Sequence, residues 1–241
     1  MEIIGRSDIG KVRKNNEDFI DYDEAKGIAV LADGMGGLDA GEIASRTAVQ
    51  EIMTKLAVSS DVREDALLKA VAAANRSVFS QTQVGGRSSN MGTTVVVWVA
   101  AEHGQCFIAH VGDSRAYRWR EAKLSALTSD HSLVQQMVDE GVLSASEALV
   151  APNRNVVTRG IGLAADVATD VRSCVHAAGD VFLLCSDGLS DLVADSAIAA
   201  IFTARLQGSG DLLAAVEELI EAANQAGGVD NISVILIRPD G

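Results

Sequence analysis

Carboxylates recur at the ends of apolar runs in this chain. In "VLADGMGG", Asp33 follows Val30, Leu31 and Ala32, and in "LLCSDGLSD", Asp187 follows the run Val181 to Cys185, with Asp191 further on. "GGVDNISVILI" sets Asp230 just before a run, "NNEDF" sets Glu17 and Asp18 before another, and "VGDSR" holds Asp113 between two. Any one of these is an ordinary turn or cap residue. As a set they ask for more. A carboxylate at the end of a buried strand is costly unless something pairs with it. Several convergent carboxylates cannot all ionise in one site without a cation. Oxygen-only donor sets suit hard divalent ions, Mg²⁺ or Mn²⁺. Gly34 and Gly188, each following its aspartate, are expected to turn the backbone sharply, so that carbonyl and carboxylate face one point.

Other chemistries fare worse. None of the 4 histidines has HxxxH or HxH spacing, which argues against a histidine-based zinc site. His131, in "SDHSL", reads as a structural hydrogen-bonding residue. "GMGGLDAG" does not match GxGxxG, and no GxxxxGK[ST] is present. "GDSRA" half matches GxSxG, with Ala116 at the last position. "GGRSSNMGTT", residues 85–94, reads as a flexible loop leading into a strand, with no catalytic signal of its own.

The elements that must position these acids are legible as two periods. Strand-like segments rich in β-branched and aromatic residues recur at 18–23, 27–32, 93–101, 105–111, 114–120, 167–174, 180–186 and 231–238. Short connections such as "AEHG" and "VGDS" predict hairpins and antiparallel pairing. Apolar residues at helical spacing mark 62–80 and 211–226, and 41–57 and 195–206 also read as helices. Strands that face water nowhere predict a two-sheet sandwich covered by helices on both outer faces. The polar segment 129–163 reads as a lid or flap inserted in one domain that spans 1–241. No repeat, low-complexity segment or linker is visible.

Bulk composition narrows the partners. Asp and Glu outnumber Lys and Arg by 33 to 20, for a net charge of −13, which argues against nucleic acid or an anionic membrane surface. The 3 cysteines include no CxxC, and Cys106 and Cys185 in apolar runs read as reduced core thiols. The N-terminus lacks a signal-peptide pattern, and the apolar run "VVVWVAA" is too short to span a bilayer. A cytoplasmic monomer is expected.

The stretches "SDIGKVRKNNEDF", "LADGMGG", "MGTTVVV", "VGDSRAYR", "LTSDHSLVQQMV", "RNVVTRGIG", "LLCSDGLSD" and "GGVDNISVILI" together resemble the metal-dependent protein phosphatase family of the 2C type, in its compact bacterial form. The match in order and interval runs from Gly5 to Ile237. The resemblance implies a four-layer α-β-β-α sandwich, an α+β fold with two central, mainly antiparallel sheets. It implies two tightly bound Mn²⁺ or Mg²⁺ ions, bridged by Asp33. Asp187 and Asp230 would complete the first, the Gly34 carbonyl would bind the second, and Asp18 or Glu17 would hold its water shell. Arg13 would bind the substrate phosphate, as a planar guanidinium suits a phosphoryl group. Asp113 and Asp191, with Asp187, would hold a third, weaker ion. The implied reaction is hydrolysis of phosphoserine and phosphothreonine by a metal-activated water, with phosphoproteins and a bacterial eukaryotic-type kinase as partners. A type VI secretion or similar signalling context fits a stand-alone phosphatase. Met35 stands where animal members carry a histidine thought to be the general acid. Two other readings stay open: a phosphatase-fold binding module without catalysis, separable by loss of ligands, and a phosphatase of sigma-factor regulation, whose members often lack the equivalent of Arg13.

Overall fold

The computed structural model describes residues 1–36, 40–58, 64–82, 91–148, 151–207 and 210–240. Most of the loop read at 85–94 therefore lies outside the described residues, as do residues 149 and 150 of the polar segment.

The strands are β1 (Glu2–Asp8), β2 (Asp18–Asp23), β3 (Ile28–Met35), β4 (Gly92–Thr93), β5 (Val95–Ala100), β6 (Gln105–Val111), β7 (Arg115–Arg120), β8 (Lys123–Ala126), β9 (Asp170–Val175), β10 (Val181–Cys185) and β11 (Ile232–Arg238). The α-helices are α1 (Ala40–Ala57), α2 (Glu64–Thr82), α3 (Leu133–Asp139), α4 (Ala145–Ala148), α5 (Asp187–Ser190), α6 (Asp195–Leu206) and α7 (Leu212–Gln225). One sheet runs β1-β11-β10-β7-β8 and the other β2-β3-β5-β6-β9, with β4 on the end of β3. The pairings are antiparallel.

Alternation along each strand divides the apolar side chains into three layers. Ile28, Val30, Val95 and Val97 pack under α1 and α2, against Ala48, Ile52, Leu67 and Val71. Leu183, Val234 and Leu236 pack under α6 and α7, against Phe202, Val216 and Leu219. Between the sheets, Leu31, Val96 and Trp98 meet Phe182, Leu184 and Ile235. Strands buried on both faces carry continuous apolar runs, which explains "VVVWVA" and "VFLLC". The order helix, sheet, sheet, helix is the α+β sandwich that the resemblance implies.

Three readings need correction. β1 and β8 were not anticipated. Both are edge strands rich in polar residues, so neither shows a strong apolar pattern. "VGDS" does not close a hairpin, because β6 and β7 belong to different sheets. Gly112, at φ +108°, redirects the chain there, and a Cβ on it would stand 2.7 Å from that of Thr94. The sharp turns expected at Gly34 and Gly188 are absent too: Gly34 continues β3 and Gly188 lies in α5, and neither has a positive φ. Both are glycine because backbone presses on them. A Cβ would meet the Gly41 carbonyl oxygen at 2.2 Å in the first case and that of Asn231 at 1.9 Å in the second.

Candidate metal centre

The β2–β3 register sets Asp18 directly opposite Asp33. Ile20 and Tyr22 on β2, and Ala29 and Leu31 on β3, face the layer between the sheets. Alternation therefore puts both aspartates at the end of that layer. The other sheet closes on them from β10 and β11. Ser186 follows β10, Asp187 opens α5, and Asp230 precedes β11. The result is a cleft of about 370 Å³ whose acid lining is Glu17, Asp33, Asp113, Asp187 and Asp230, with Arg13 at its rim. Gly34, Met35, Thr94, Asn155 and Val157 are also part of the lining.

The two remaining predicted residues stand outside that lining. Asp18 is buried, and its Oδ2 accepts a 2.8 Å hydrogen bond from the Ser186 hydroxyl. Asp191 flanks the C-terminus of α5, where its N–H bonds the Asp187 carbonyl at 2.8 Å and its carboxylate lies 3.5 Å from Arg154 Nε. Its charge reaches both Asp113 and Asp187. Glu17 folds over the first turn of α1, its carboxylate occupying the space a Cβ on Gly41 would need.

The electrostatics of the cluster follow from burial. Loss of hydration pushes Asp33 and Asp187 well above the usual carboxylate range. Repulsion adds to this, from Asp18, Asp187 and Asp113 in the first case and from Asp113, Asp230 and Asp191 in the second. Burial raises Asp18 to about 6 against the opposing hydrogen bonds of Ser233 and Ser186, and raises Asp113 to about 6. The Arg13 guanidinium meets the cluster at Asp230, with Nη2 2.6 Å from Oδ2. Asp18 Oδ1 and Asp187 Oδ1 are buried without a hydrogen-bond partner. Unpaired carboxylate oxygens facing other acids are what a hard divalent cation would satisfy, so the residues present fit Mg²⁺ or Mn²⁺.

Residues beneath the acids hold them in place, and sequence reasoning missed these. Thr94 Oγ1 accepts the Asp33 N–H at 3.0 Å and shares a 2.7 Å hydrogen bond with the Ser114 hydroxyl. The Asp33 carbonyl accepts from the Thr94 N–H at 2.8 Å and from the Thr93 hydroxyl at 2.7 Å. Asn231 Oδ1 accepts the Glu17 N–H at 2.8 Å, while its Nδ2 donates to the Ile9 and Asn15 carbonyls at 3.0 Å. One side chain thus ties the Arg13 loop to the strand start beside Asp230. The signal was present in "MGTTVVV" and "VDNISV", where uncharged polar residues abut apolar runs.

His131 is the structural residue it was read as. It is buried, accepts the Gly112 N–H at Nδ1 and stacks on His110 at 4.5 Å between ring centroids. His110, His131 and Asp170 could offer ligand atoms within 4.8 Å of one another. Arg159 already supplies the positive charge there, 2.9 Å from Asp170 and 3.2 Å from His131 Nε2.

Comparison with known proteins agrees with this geometry. The family described as protein phosphatase 2C matches residues 4–227. Protein phosphatase PhpP of Streptococcus pneumoniae is 35% identical over 247 residues, covering 98% of this chain and 97% of that protein. The crystal structure of the Mycobacterium tuberculosis serine/threonine phosphatase PstP/Ppp superposes with a TM-score of 0.90 at 34% identity, over 100% of this chain and 99% of that one. A structure of the PstP catalytic domain in complex with 2 manganese ions gives a TM-score of 0.87 at 33% identity, over 98% and 96% of the two chains. The chain belongs to the protein phosphatase 2C family, the metal-dependent serine/threonine protein phosphatases.

Proposed function

We propose that the cleft hydrolyses phosphoserine and phosphothreonine on proteins, with Asp33, Asp187, Asp230 and the Gly34 carbonyl holding two divalent cations. Asp18 and Glu17 act on the second ion through its hydration shell, and Asp113, Asp187 and Asp191 hold a third ion more weakly. The observation that carries this reading is the pair of buried, unpartnered carboxylate oxygens on Asp18 and Asp187 within one acidic cluster. When bound, the cations supply Lewis-acid activation of water and neutralise charge on the phosphoryl oxygens.

The chain's own residues then have defined tasks. Thr94 and Thr93 fix the backbone of Asp33, so that its carboxylate enters the cleft in one orientation. Arg13, half exposed at the rim, presents a planar fork to a phosphate dianion. A phosphate on the Arg13 fork would compete with its ion pair to Asp230, whose carboxylate would then be free to hold a cation. Asn231 keeps the Arg13 loop and Asp230 in register during that exchange. Met35 lines the cleft and has no proton to give, so it does not serve as the general acid.

The substrates proposed are phosphoproteins of a bacterial eukaryotic-type kinase, in type VI secretion or comparable signalling, with the enzyme a cytoplasmic monomer of one domain whose flap is residues 129–163. Among the described residues no helix is long and apolar enough to cross a membrane. Asn155 and Val157 on that segment line the cleft, which supports its role in substrate access. The alternative of a non-catalytic binding module is disfavoured because each acid of the implied ligand set is retained. The test is turnover of phosphothreonine peptides by metal-stripped protein with and without added Mn²⁺ or Mg²⁺. Full activity after chelation would overturn the reading.

A further inference from the structure

Two of the three cysteines face each other across a strand pair. In the β6–β9 register Cys106 stands opposite Cys174. The His176 N–H bonds the Gly104 carbonyl at 2.9 Å, which marks 104–176 as a hydrogen-bonded pair. The ladder alternates, so 106–174 is the next such pair, with Cα atoms about 5.5 Å apart. Disulfides span Cα separations of about 4.4–6.8 Å. Opposed residues project from the same face, here the one toward the layer between the sheets. Cys106 is fully buried in that layer, and Cys174 packs at its margin, partly buried. Cys185 is buried on the opposite face of the other sheet.

The surroundings of the two sulfurs differ. Each group is the largest influence on the other, pulling Cys174 down to about 6, helped by Arg172 and Arg118, and holding Cys106 up as a thiol. Arg118 Nε is buried without a hydrogen-bond partner. A thiolate on Cys174 would join the Asp180 carboxylate as an anion within reach of it. An accessible thiolate among cations, backed by a buried protonated thiol, is the arrangement of a reactive cysteine with its resolving partner.

We propose that Cys174 and Cys106 form a reversible thiol redox site, with Cys174 the point of attack on hydrogen peroxide and Cys106 the resolving cysteine. In the first step the Cys174 thiolate attacks one peroxide oxygen. The O–O bond breaks, the departing hydroxide takes up a proton as water, and Cys174 becomes a sulfenic acid. In the second, the Cys106 sulfur gives up its proton and attacks the Cys174 sulfur. The S–O bond breaks, a second water leaves and the disulfide forms. Two thiols are oxidised, one peroxide is reduced by two electrons, and an external dithiol reverses the change. The bond would staple β6 to β9. β6 leads into Gly112 and Asp113 at the cleft, and β9 starts at Asp170, which holds Arg159 of the segment before it.

The experiment exposes the full chain, free of reducing agent, to graded hydrogen peroxide near pH 7, then alkylates and digests it for mass spectrometry. A peptide joined through Cys106 and Cys174 is expected, lighter by two hydrogens and split by dithiothreitol, with Cys185 still alkylated after denaturation. In Cys106→Ser the same treatment should leave a dimedone-reactive sulfenic acid on Cys174. Cys106→Ala replaces that variant if the serine unfolds the core. Before oxidation, Cys174 should alkylate at least about tenfold faster than Cys106 or Cys185 in the folded protein. The proposal fails if no 106–174 cross-link forms, or if neither Cys106 variant traps a sulfenic acid on Cys174.

Discussion

Asp18 and Asp33 occupy directly opposed positions on β2 and β3, both at the polar end of the layer between the sheets. Like charges across a strand pair repel, and this pair lies in the same cluster as Asp113 and Asp187. The fold therefore carries an electrostatic cost that a cation bound among these acids would remove. Asp18 is raised to about 6, as is Asp113, while Asp33 and Asp187 are raised well above the normal range. Unfolded aspartates titrate near 3.9. The folded, metal-free chain then binds more protons than the unfolded one between these values. Its stability is greatest below about pH 4 from these groups and is lost as pH rises through about 6 and beyond. In a chelator, the melting temperature should be lower at about pH 7.5 than at about pH 5, and Mn²⁺ should raise it more at the higher pH. Equal melting temperatures in chelator, with no metal effect at either pH, would contradict the buried acid cluster.

The same logic separates function from stability in single variants. Asp33→Asn, Asp187→Asn and Asp230→Asn should each lower turnover by about a thousandfold or more, since metal activation supplies several kcal/mol of the barrier reduction. Asp33→Asn and Asp187→Asn should at the same time raise the melting temperature in chelator, because each removes a repelled buried charge. Calorimetric titration with Mn²⁺ on the same preparations checks the cause. Near-normal turnover at saturating Mn²⁺ in any of the three would remove that residue from the ligand set.

Asp33, Asp187 and Asp230 were legible because each lies beside a strongly apolar run, and the sandwich because those runs alternate with helical periods. What sequence pattern hid was topological. "VGDS" has the length and composition of a hairpin turn, yet it carries the chain from one sheet to the other, and only the strand order reveals that. Gly34 and Gly188 read as turn glycines, but the pressure on them comes from Gly41 and Asn231, which are distant in sequence in the second case. Thr94 and Asn231 stand out in sequence only as polar residues abutting apolar runs, and their supporting role stayed hidden because their partners, Asp33 and Glu17, are brought near only by the fold. Edge strands β1 and β8 escaped because polar faces suppress the strand period.

Thr94 gives that unseen layer a measurable weight. Thr94→Val keeps the shape but removes the acceptor for the Asp33 N–H and the link to Ser114. A buried donor left unpaired costs about 1–3 kcal/mol, and losing an outer partner of a ligand typically weakens metal binding about 10–100-fold. The expected result is a right-shifted Mn²⁺ activation curve, with turnover partly restored at high Mn²⁺. A curve that coincides with the parent protein's would show that Thr94 only fills space.

Arg13 should divide substrate binding from chemistry. Its guanidinium is tied to Asp230, and that hydrogen bond is the main reason its own proton is held more tightly than usual. Arg13→Ala should raise KM for phosphopeptides about tenfold with kcat changed less than about threefold, if the fork mainly holds ground-state phosphate. Steady-state kinetics on one peptide at saturating metal decides it. A collapse in kcat at unchanged KM would instead make Arg13 a transition-state residue.

Asp191 tests the outermost part of the cluster. Its carboxylate is shared with Arg154 at 3.5 Å, and its charge reaches Asp113 and Asp187 without lining the cleft. Exposed acids with few protein neighbours bind a hard cation weakly, because a hydrated ion loses little by leaving. Asp191→Ala should therefore leave the two tighter ions in place, while turnover on phosphoproteins falls even at high Mn²⁺. The competing account is that Asp191 only terminates α5 and steadies Arg154, on the segment that also contributes Asn155 and Val157 to the cleft. An exposed ion pair contributes about 0–1 kcal/mol, so that account predicts a small change in melting temperature and intact turnover. Arg154→Ala separates the two further, since it breaks the ion pair but spares the carboxylate. If Asp191→Ala loses turnover and Arg154→Ala does not, the carboxylate acts through a cation. If both lose turnover equally, the ion pair holding the segment is what matters, and the third ion drops out of the mechanism.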